Sequence, residues 1–553
     1  MFLQFVVCCS DCIFERIKLS TDYVTIMKTI FTTLLILISF HNNCEQYTNV
    51  RISNTSSNNP EEVSIAINPY NPLQLAAGAN INYFYYSTNA GQSWTQGQLN
   101  STFGVWGDPS LVFDSSGNLY FGHLSNPSSP GYWIDRIVVQ KSTNGGVSYN
   151  NGVGVGFNPP LHAQDKEWLV ADITRSPFRN NIYMSWTEFD DYGSSLPSDS
   201  SRILFSRSTD GGNSWSQPLR VSDDAGNCVD SDSTMEGAVP AVGPNGEIFI
   251  AWSGPQGIYF DKSTDGGISF GRDSFVTTQP GGWDYNVPGI YRCNGLPITA
   301  CDISSSAHRG TIYINWTDQR NGENNTDVFL IKSTDSGNSW SAVKKVNTDT
   351  AARQQFLTWM TVDPITGYVY IVFYDRRNYN SSAVTTDVFV AKSMDGGATF
   401  SNFKVSQNSF TPNASVFFGD YINIVAFNKK IYTIWMRLDG NNLSVWTALL
   451  NDSAIVPVQE FVQQKNKFSL AYNYPNPFNP LTTIHYTLFT SALVSLKVYN
   501  ILGQEVATLL NNEAMGEGMH EVQFDASGLP SGVYFYRMQA GEFSATKKLL
   551  LMK

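Results

Sequence analysis

Along most of the chain, short apolar runs alternate with clusters of Gly, Asn, Asp and Ser. The runs are rich in Val, Ile, Tyr, Phe and Trp, as at residues 247–252, 311–316 and 368–374. Runs this short, bounded by turn residues and led by β-branched and aromatic side chains, predict strands rather than helices. They recur in a fixed order. A run such as 63–67 or 110–113 comes first, and a second follows at 181–186 or its counterparts above. A third lies at 202–206, 257–261, 327–331 or 387–391, and a fourth at 218–221 or 343–346. Four antiparallel strands per repeat predict one blade of a β-propeller.

Between third and fourth strands stands one eight-residue motif, Ser-x-Asp-x-Gly-x-x-aromatic. It begins at Ser87, Ser142, Ser208, Ser263, Ser333 and Ser393, with Asn89 and Asn144 replacing Asp in the first two copies. The Asp or Asn side chain can accept turn amides, the Gly can take positive φ, and the aromatic can tuck between strands. After the sixth copy, residues 420–426, 430–436 and 443–449 read as three strands with no motif following. Residues 49–53 resemble the fourth strands at 219–222 and 403–406, so the first segment is expected to complete the last blade. The reading is all-β: a seven-bladed β-propeller over residues 47–452, with six blades as the alternative.

Charge and composition narrow the partners. Of 553 residues only 15% are charged and 13% are aromatic, and the net charge is −12 with no basic tract, which argues against nucleic acid. After Met27, residues 28–40 join a lysine to an apolar run of about a dozen residues. That is a secretory signal, too short to span a bilayer. Met27 is expected to be the true start, with residues 1–46 a leader cleaved within 40–46. Cys228, Cys293 and Cys301 lie in the body. An oxidising destination permits a bridge among them, expected to be Cys293–Cys301.

Residues 453–466 form a polar linker. From 467 to 553 a second domain follows, with apolar Val494, Leu496 and Val498 alternating between Pro and Gly turns, which predicts a small Ig-like β-sandwich. It opens Tyr472-Asn-Tyr-Pro-Asn-Pro-Phe-Asn-Pro480 and ends in a basic, apolar run, Lys547-Lys-Leu-Leu-Leu-Met-Lys553. It closely resembles the C-terminal sorting domains of type IX secretion. The resemblance implies a Gram-negative bacterium, the type IX machinery as partner, and delivery to the outer-membrane surface or the medium. A carbohydrate-binding or adhesive Ig-like module is the alternative.

In a propeller, the loops into first strands and out of second strands open on one face, opposite the repeated motif. Before first strands stand Glu61, Glu62, Asp108, Asp165, Lys166, Glu167, Glu236, Asp420 and Tyr421. After second strands stand His123, Glu188, Asp318 with Arg320, Asp375 with Arg376 and Arg377, and Arg437. Long insertions fall on the same face, including 271–297 with Trp283, Tyr285, Tyr291 and Arg292. Trp283 and its neighbours suit stacking on sugar rings. The pairs Asp318-x-Arg320 and Asp375-x-Arg377 read equally as structural ties between blades. The loop holding Asp223, Asp224, Asp230 and Asp232 offers clustered oxygens that suit calcium; no cofactor is otherwise required.

Residues 47–452 resemble the Asp-box (BNR-repeat) sialidase-like propellers, on the strength of the repeated motif. The resemblance implies three arginines on a substrate carboxylate, a Tyr nucleophile with a Glu partner, and an Asp acid. Arg320, Arg376 and Arg437 match the clamp, with Asp318, Asp375 and Trp283 beside them. Tyr421 and Glu236 match the nucleophile pair, and Asp108 or Asp165 the acid. The family's Arg-Ile-Pro motif is absent, since Arg51-Ile52 is followed by Ser53. The expected function is an exo-sialidase-like glycoside hydrolase, monomeric, acting on an extracellular glycan or glycoprotein. The alternatives are a non-catalytic glycan- or protein-binding surface propeller, a polysaccharide lyase using His123 or His162 with a Tyr, and a structural surface component.

Overall fold

The computed structural model describes residues 47–128, 131–160, 162–380, 382–452, 468–470, 473–488, 490–541 and 543–553. The leader and the linker predicted above lie outside them. Among the described residues there are strands and no helix. The chain divides into two units, Met1–Val456 and Pro457–Lys553.

The first unit is a propeller built of seven four-stranded antiparallel sheets. Their innermost strands are Ser64–Ile67, Ser110–Phe113, Ala163–Ala171, Glu236–Val242, Ile298–Cys301, Gln355–Val362 and Asn423–Phe427. We number the blades one to seven in that order. Each innermost strand touches the next, and the last touches the first, so the ring returns on itself. The seventh sheet draws its outermost strand from the other end of the unit. Thr48–Arg51 pairs with Asn442–Asn451, with Thr48 opposite Leu449 and Arg51 opposite Trp446. Asn49 reaches past its own sheet to blade six, donating to Val405 O at 2.9 Å and accepting from Gln407 N at 2.7 Å.

The six motifs fold into one turn, and each residue does what its chemistry allows. In every copy the Ser hydroxyl donates to the Asp or Asn Oδ1 and accepts from the Gly amide, as Ser263 does at 2.7 Å and 3.0 Å. The same Asp oxygen accepts the amide four residues on, 3.1 Å in the case of Ser269 N to Asp265. Gly267 and its counterparts sit at φ near +80°, a region closed to most side chains. The closing aromatic packs across the blade boundary. Tyr149 meets Phe84 of blade one at 5.1 Å, Phe270 meets Phe205 of blade three at 4.9 Å, and Trp340 meets Phe260 of blade four at 5.1 Å. Second strands add fully buried Trp186, Trp252, Trp316 and Trp435, so apolar packing between blades carries the fold.

The expected Cys293–Cys301 bridge is absent: Cys228, Cys293 and Cys301 are all free and buried. Cys293 pairs with Tyr285 in a small hairpin ahead of blade five, whereas Cys301 ends that blade's innermost strand. The intervening strand carries the two thiols apart.

The second unit has a three-stranded sheet (Phe468–Leu470, Leu481–Leu488, Gly518–Asp525) and a four-stranded one (Glu505–Met515, Ala492–Tyr499, Gly532–Ala540, Phe543–Leu551). Ile484, Val494, Leu496, Val498, Tyr536 and Met538 form its separate core.

Candidate functional site

The site begins with how first strands enter the hub. In blades three, four and six the pairing slips by an extra residue, between Asp165 and Trp168, Glu236 and Val239, and Phe356 and Trp359. Within these bulges Lys166, Gly237 and Leu357 take positive φ; Glu62 and Asp108 do the same ahead of blades one and two. Gly237 also has no room for a Cβ, which would strike Leu296. Bulges and left-handed residues re-aim side chains at a conformational cost, and here they gather polar groups at one end of the channel.

Those groups form a network. Lys166 Nζ of blade three lies 2.8 Å from Asp420 Oδ2 ahead of blade seven, with both residues buried. Arg292, from the hairpin ahead of blade five, donates Nε to Asp420 Oδ1 at 2.9 Å and closes a second bond to Oδ2. Its other nitrogen reaches Asp230 at 3.2 Å, and Tyr192 OH donates to the same Asp230 oxygen at 2.6 Å. Asn294 holds the Asp420 carbonyl at 2.8 Å. On the other side, Asn80 accepts from Asp108 N at 2.7 Å and donates to Glu62.

Around two cations, Lys166 and Arg292, stand Glu61, Glu62, Asp108, Asp165, Glu167, Asp230, Glu236 and Asp420. Their protonation is split by environment. Burial would push Asp420 up, but Lys166 and Arg292 outweigh it and hold the carboxyl well below the usual carboxylate range. Burial raises Asp165 to about 7, with Lys166 opposing and Asp108 assisting. Burial, with Asp108 alongside, pushes Glu61 to about 8. Glu62, Glu167 and Glu236 are driven well up by burial and by neighbouring carboxylates. The Glu167 and Glu236 oxygens are buried without a partner among the described residues, which a neutral carboxyl tolerates better than a carboxylate.

A small, partly open cavity lies among Lys166, Trp168, Asn294, Trp359 and Asp420, with room for one or two waters and not for a sugar ring. The opposite end of the channel is apolar, lined by residues such as Ile67, Phe113, Val242 and Phe427. The polar chemistry therefore sits at the end away from the motif turns.

The residues singled out from sequence divide accordingly. Asp108, Asp165, Glu236 and Asp420 meet at the hub. Tyr421 joins them, buried against Trp168 at 5.0 Å and Trp359 at 6.3 Å. Its charged neighbours are Asp108, Glu62, Glu167 and Asp420, whereas those of Glu236 are Asp230, Lys166 and Asp165. The expected Tyr421–Glu236 pair is thus not the closest relation of either residue, and the Tyr421 hydroxyl is raised by burial first and by carboxylates second.

The expected clamp does not assemble. Arg320 is held by Asp318 at 2.6 Å, over the Phe329 ring, and Arg437 by Asp439 at 2.9 Å. In blade six the partner of Asp375 is Arg377, at 2.6 Å. Arg376 is fully buried over Phe356; its Nε donates to Thr386, and its two terminal nitrogens have no partner among the described residues. Trp283, expected to be exposed for stacking, is only 4% exposed. The acidic loop disperses too. Asp223 accepts from Asp273 N, Asp230 binds Tyr192 and Arg292, and Asp232 accepts from Asp284 N. Among the described residues no three acidic, His or Cys side chains, Asp224 included, form a metal-holding group. His123 is buried between Leu124 O and Gln140, its pKa lowered by burial to about 4, so it stays neutral. His162 stands 3.5 Å from Asp190 and 3.6 Å from Glu188, both also held by Arg202.

Sequence reading missed the parts that organise the hub. Asn80 and Tyr192 carried no motif, and Asp230 was grouped with its acidic neighbours. Arg292 stood out only as an arginine in a long insertion.

No curated protein matches the chain. Among solved structures, a Hadza microbial sialidase is 12% identical over 69% of this chain and 74% of its own, with a TM-score of 0.40. The Penicillium chrysogenum alpha-L-arabinanase complexed with arabinobiose is 12% identical over 63% and 94%, with a TM-score of 0.41. An ulvan lyase of a polysaccharide lyase family is 12% identical over 73% and 96%, with a TM-score of 0.43. Likeness at this level leaves the chemistry to be argued from the hub itself. Residues 473–552 match the family model described as a secretion system C-terminal sorting domain. The second unit is therefore a type IX sorting domain, and the protein is exported to the cell surface or the medium.

Proposed function

We propose that the propeller is an extracellular glycoside hydrolase that works at the acidic end of its channel on a neutral glycan. The observation that carries this reading is the split protonation at one mouth: Asp420 ionised, Asp165 raised to about 7. Glycoside hydrolysis needs a carboxyl that gives a proton to the leaving oxygen and a carboxylate that stabilises the positive charge left on the sugar. Asp165 takes the first role and Asp420 the second. Arg292, its side chain 35% exposed, lies over Asp420 and must swing aside to admit a sugar. The surplus of carboxyls disfavours an anionic sugar; of the arginines expected to bind its carboxylate, Arg320 and Arg437 are held by Asp318 and Asp439, and Arg376 is buried. The substrate class is accordingly neutral.

A second reading, a glycan-binding propeller without turnover, is favoured by the small size of the hub cavity. Incubating the full chain with neutral and acidic glycosides separates the two, with new reducing ends and calorimetric binding both measured. Hydrolysis of a neutral glycoside that is lost in Asp165→Asn supports the enzyme. Binding with no new reducing ends overturns it in favour of the second reading, and hydrolysis confined to sialosides overturns the substrate class.

A further inference from the structure

Large aromatic side chains left in water are costly unless something covers them, and those around this hub are not scattered. Trp106, in the loop into blade two, is 39% exposed, and Trp133, leaving that blade's second strand, is 43% exposed. Their rings meet edge to face at 6.5 Å. Trp133 continues onto Tyr192 at 5.6 Å, and the Tyr192 hydroxyl is the group that holds Asp230 of the hub. From Asp230 the contacts pass to Arg292, whose guanidinium lies 5.5 Å from the Phe417 ring. Phe417 in turn meets Tyr291 at 5.9 Å, and Tyr291 is 61% exposed.

The contacts therefore run from exposed indoles of blade two, through Tyr192 of blade three and the acidic hub, to an exposed phenol between blades four and five. A single terminal sugar would need one platform beside the reacting carboxyls. Two platforms, one linked to the hub carboxyls through Tyr192 and the other through Arg292, suit a chain laid across the mouth, with rings stacked before and after the bond at the hub. Aromatic faces match the C–H faces of neutral pyranose or furanose rings and ask for no charge.

We propose that Trp106 with Trp133, and Tyr291 on the other platform, are stacking subsites for a neutral glycan chain, so that the hub takes internal bonds of a polymer. The inference rests on the hub being the working site. It adds the length of the ligand and the residues that sense it.

The test uses linear arabino-, xylo- and cello-oligosaccharides of two to six units, titrated calorimetrically into the full chain and into Trp106→Ala, Trp133→Ala and Tyr291→Ala. These side chains are exposed, so the variants should melt with the parent protein. Affinity should rise with chain length, and each variant should weaken the longest bound oligosaccharide about three- to tenfold. Binding of a disaccharide should change less than twofold. The inference is overturned if no oligosaccharide binds, if affinity is flat from two to six units, or if variants on both platforms leave it unchanged. Asp165→Asn separates this outcome from the fate of the hydrolase reading. Length-dependent, Trp-dependent binding without turnover keeps the subsites and removes the enzyme. Turnover lost in Asp165→Asn but insensitive to Trp106, Trp133 and Tyr291 does the reverse.

Discussion

Lys166 of blade three and Asp420 ahead of blade seven meet at 2.8 Å across the channel, and both are buried. Neither charge could stay there alone. Breaking a buried pair from one side costs about 3–5 kcal/mol, because the remaining ion keeps its desolvation penalty. Lys166→Met should therefore lower stability by about that amount in urea unfolding, with Arg292 softening the loss. Lys166→Met combined with Asp420→Asn should cost less than the sum of the two. Additive losses would mean that the pair is not coupled.

Arg376 presents the opposite case, a buried guanidinium whose terminal nitrogens lack partners among the described residues and which Arg353 repels. Burial first, and Arg353 second, lower its pKa to about 10. Replacing an uncompensated buried charge by an apolar side chain of similar length is expected to stabilise by about 1–4 kcal/mol. Arg376→Met should raise the melting temperature and leave glycan affinity unchanged. Loss of affinity in a folded Arg376→Met would restore the arginine to the site.

The strand Thr48–Arg51 joins the first described residues of the unit to its last sheet, and Asn49 extends that join to blade six by two hydrogen bonds. Asn49→Ala should cost about 1–3 kcal/mol. An unchanged unfolding midpoint would show that the join contributes little.

Much of this architecture was legible because it repeats. Six copies of one turn, each with a Ser, an Asp or Asn and a Gly in fixed places, announce the spacing of the strands around them, and Asn49–Ser53 matched the fourth strands by side-chain type. Topology alone also brought Asp108, Asp165, Glu236 and Asp420 to one mouth. What it could not supply was side-chain direction. Asp375-Arg376-Arg377 offers two arginines in succession, and only the turn that follows the strand end at Asp375 decides that Arg377 folds back on Asp375 while Arg376 is buried. Trp283 failed for a related reason: an insertion read as open loop folds back and buries its indole. Arg292 needed the small hairpin ahead of blade five to bring it to Asp420, 128 positions away in sequence.

Stability should depend on pH in two senses. Asp420, held below its ordinary range, lends stability that is present above its unfolded pKa of roughly 4 and lost as pH falls further. Asp165 and Glu61 act oppositely. Their folded values of about 7 and about 8 exceed the unfolded ones, so what they lend is complete below roughly pH 4 and is lost as pH rises through 7 and 8. Melting temperature should therefore fall between about pH 4 and about pH 8. Glu61→Gln should flatten the upper part of that fall. A melting temperature that climbs over the same range would contradict the placement of these carboxyls.

The central claim is that Asp165 gives the proton in hydrolysis of a neutral glycan at the hub. The pH dependence of kcat/KM on a neutral aryl glycoside tests it most directly, since that quantity reports the acid of the free enzyme. The rate should fall above about pH 7, where burial places Asp165. Asp165→Asn should lower it by about a hundredfold or more and erase that limb. A limb that stays in place in Asp165→Asn, or a variant as active as the parent, would contradict the account.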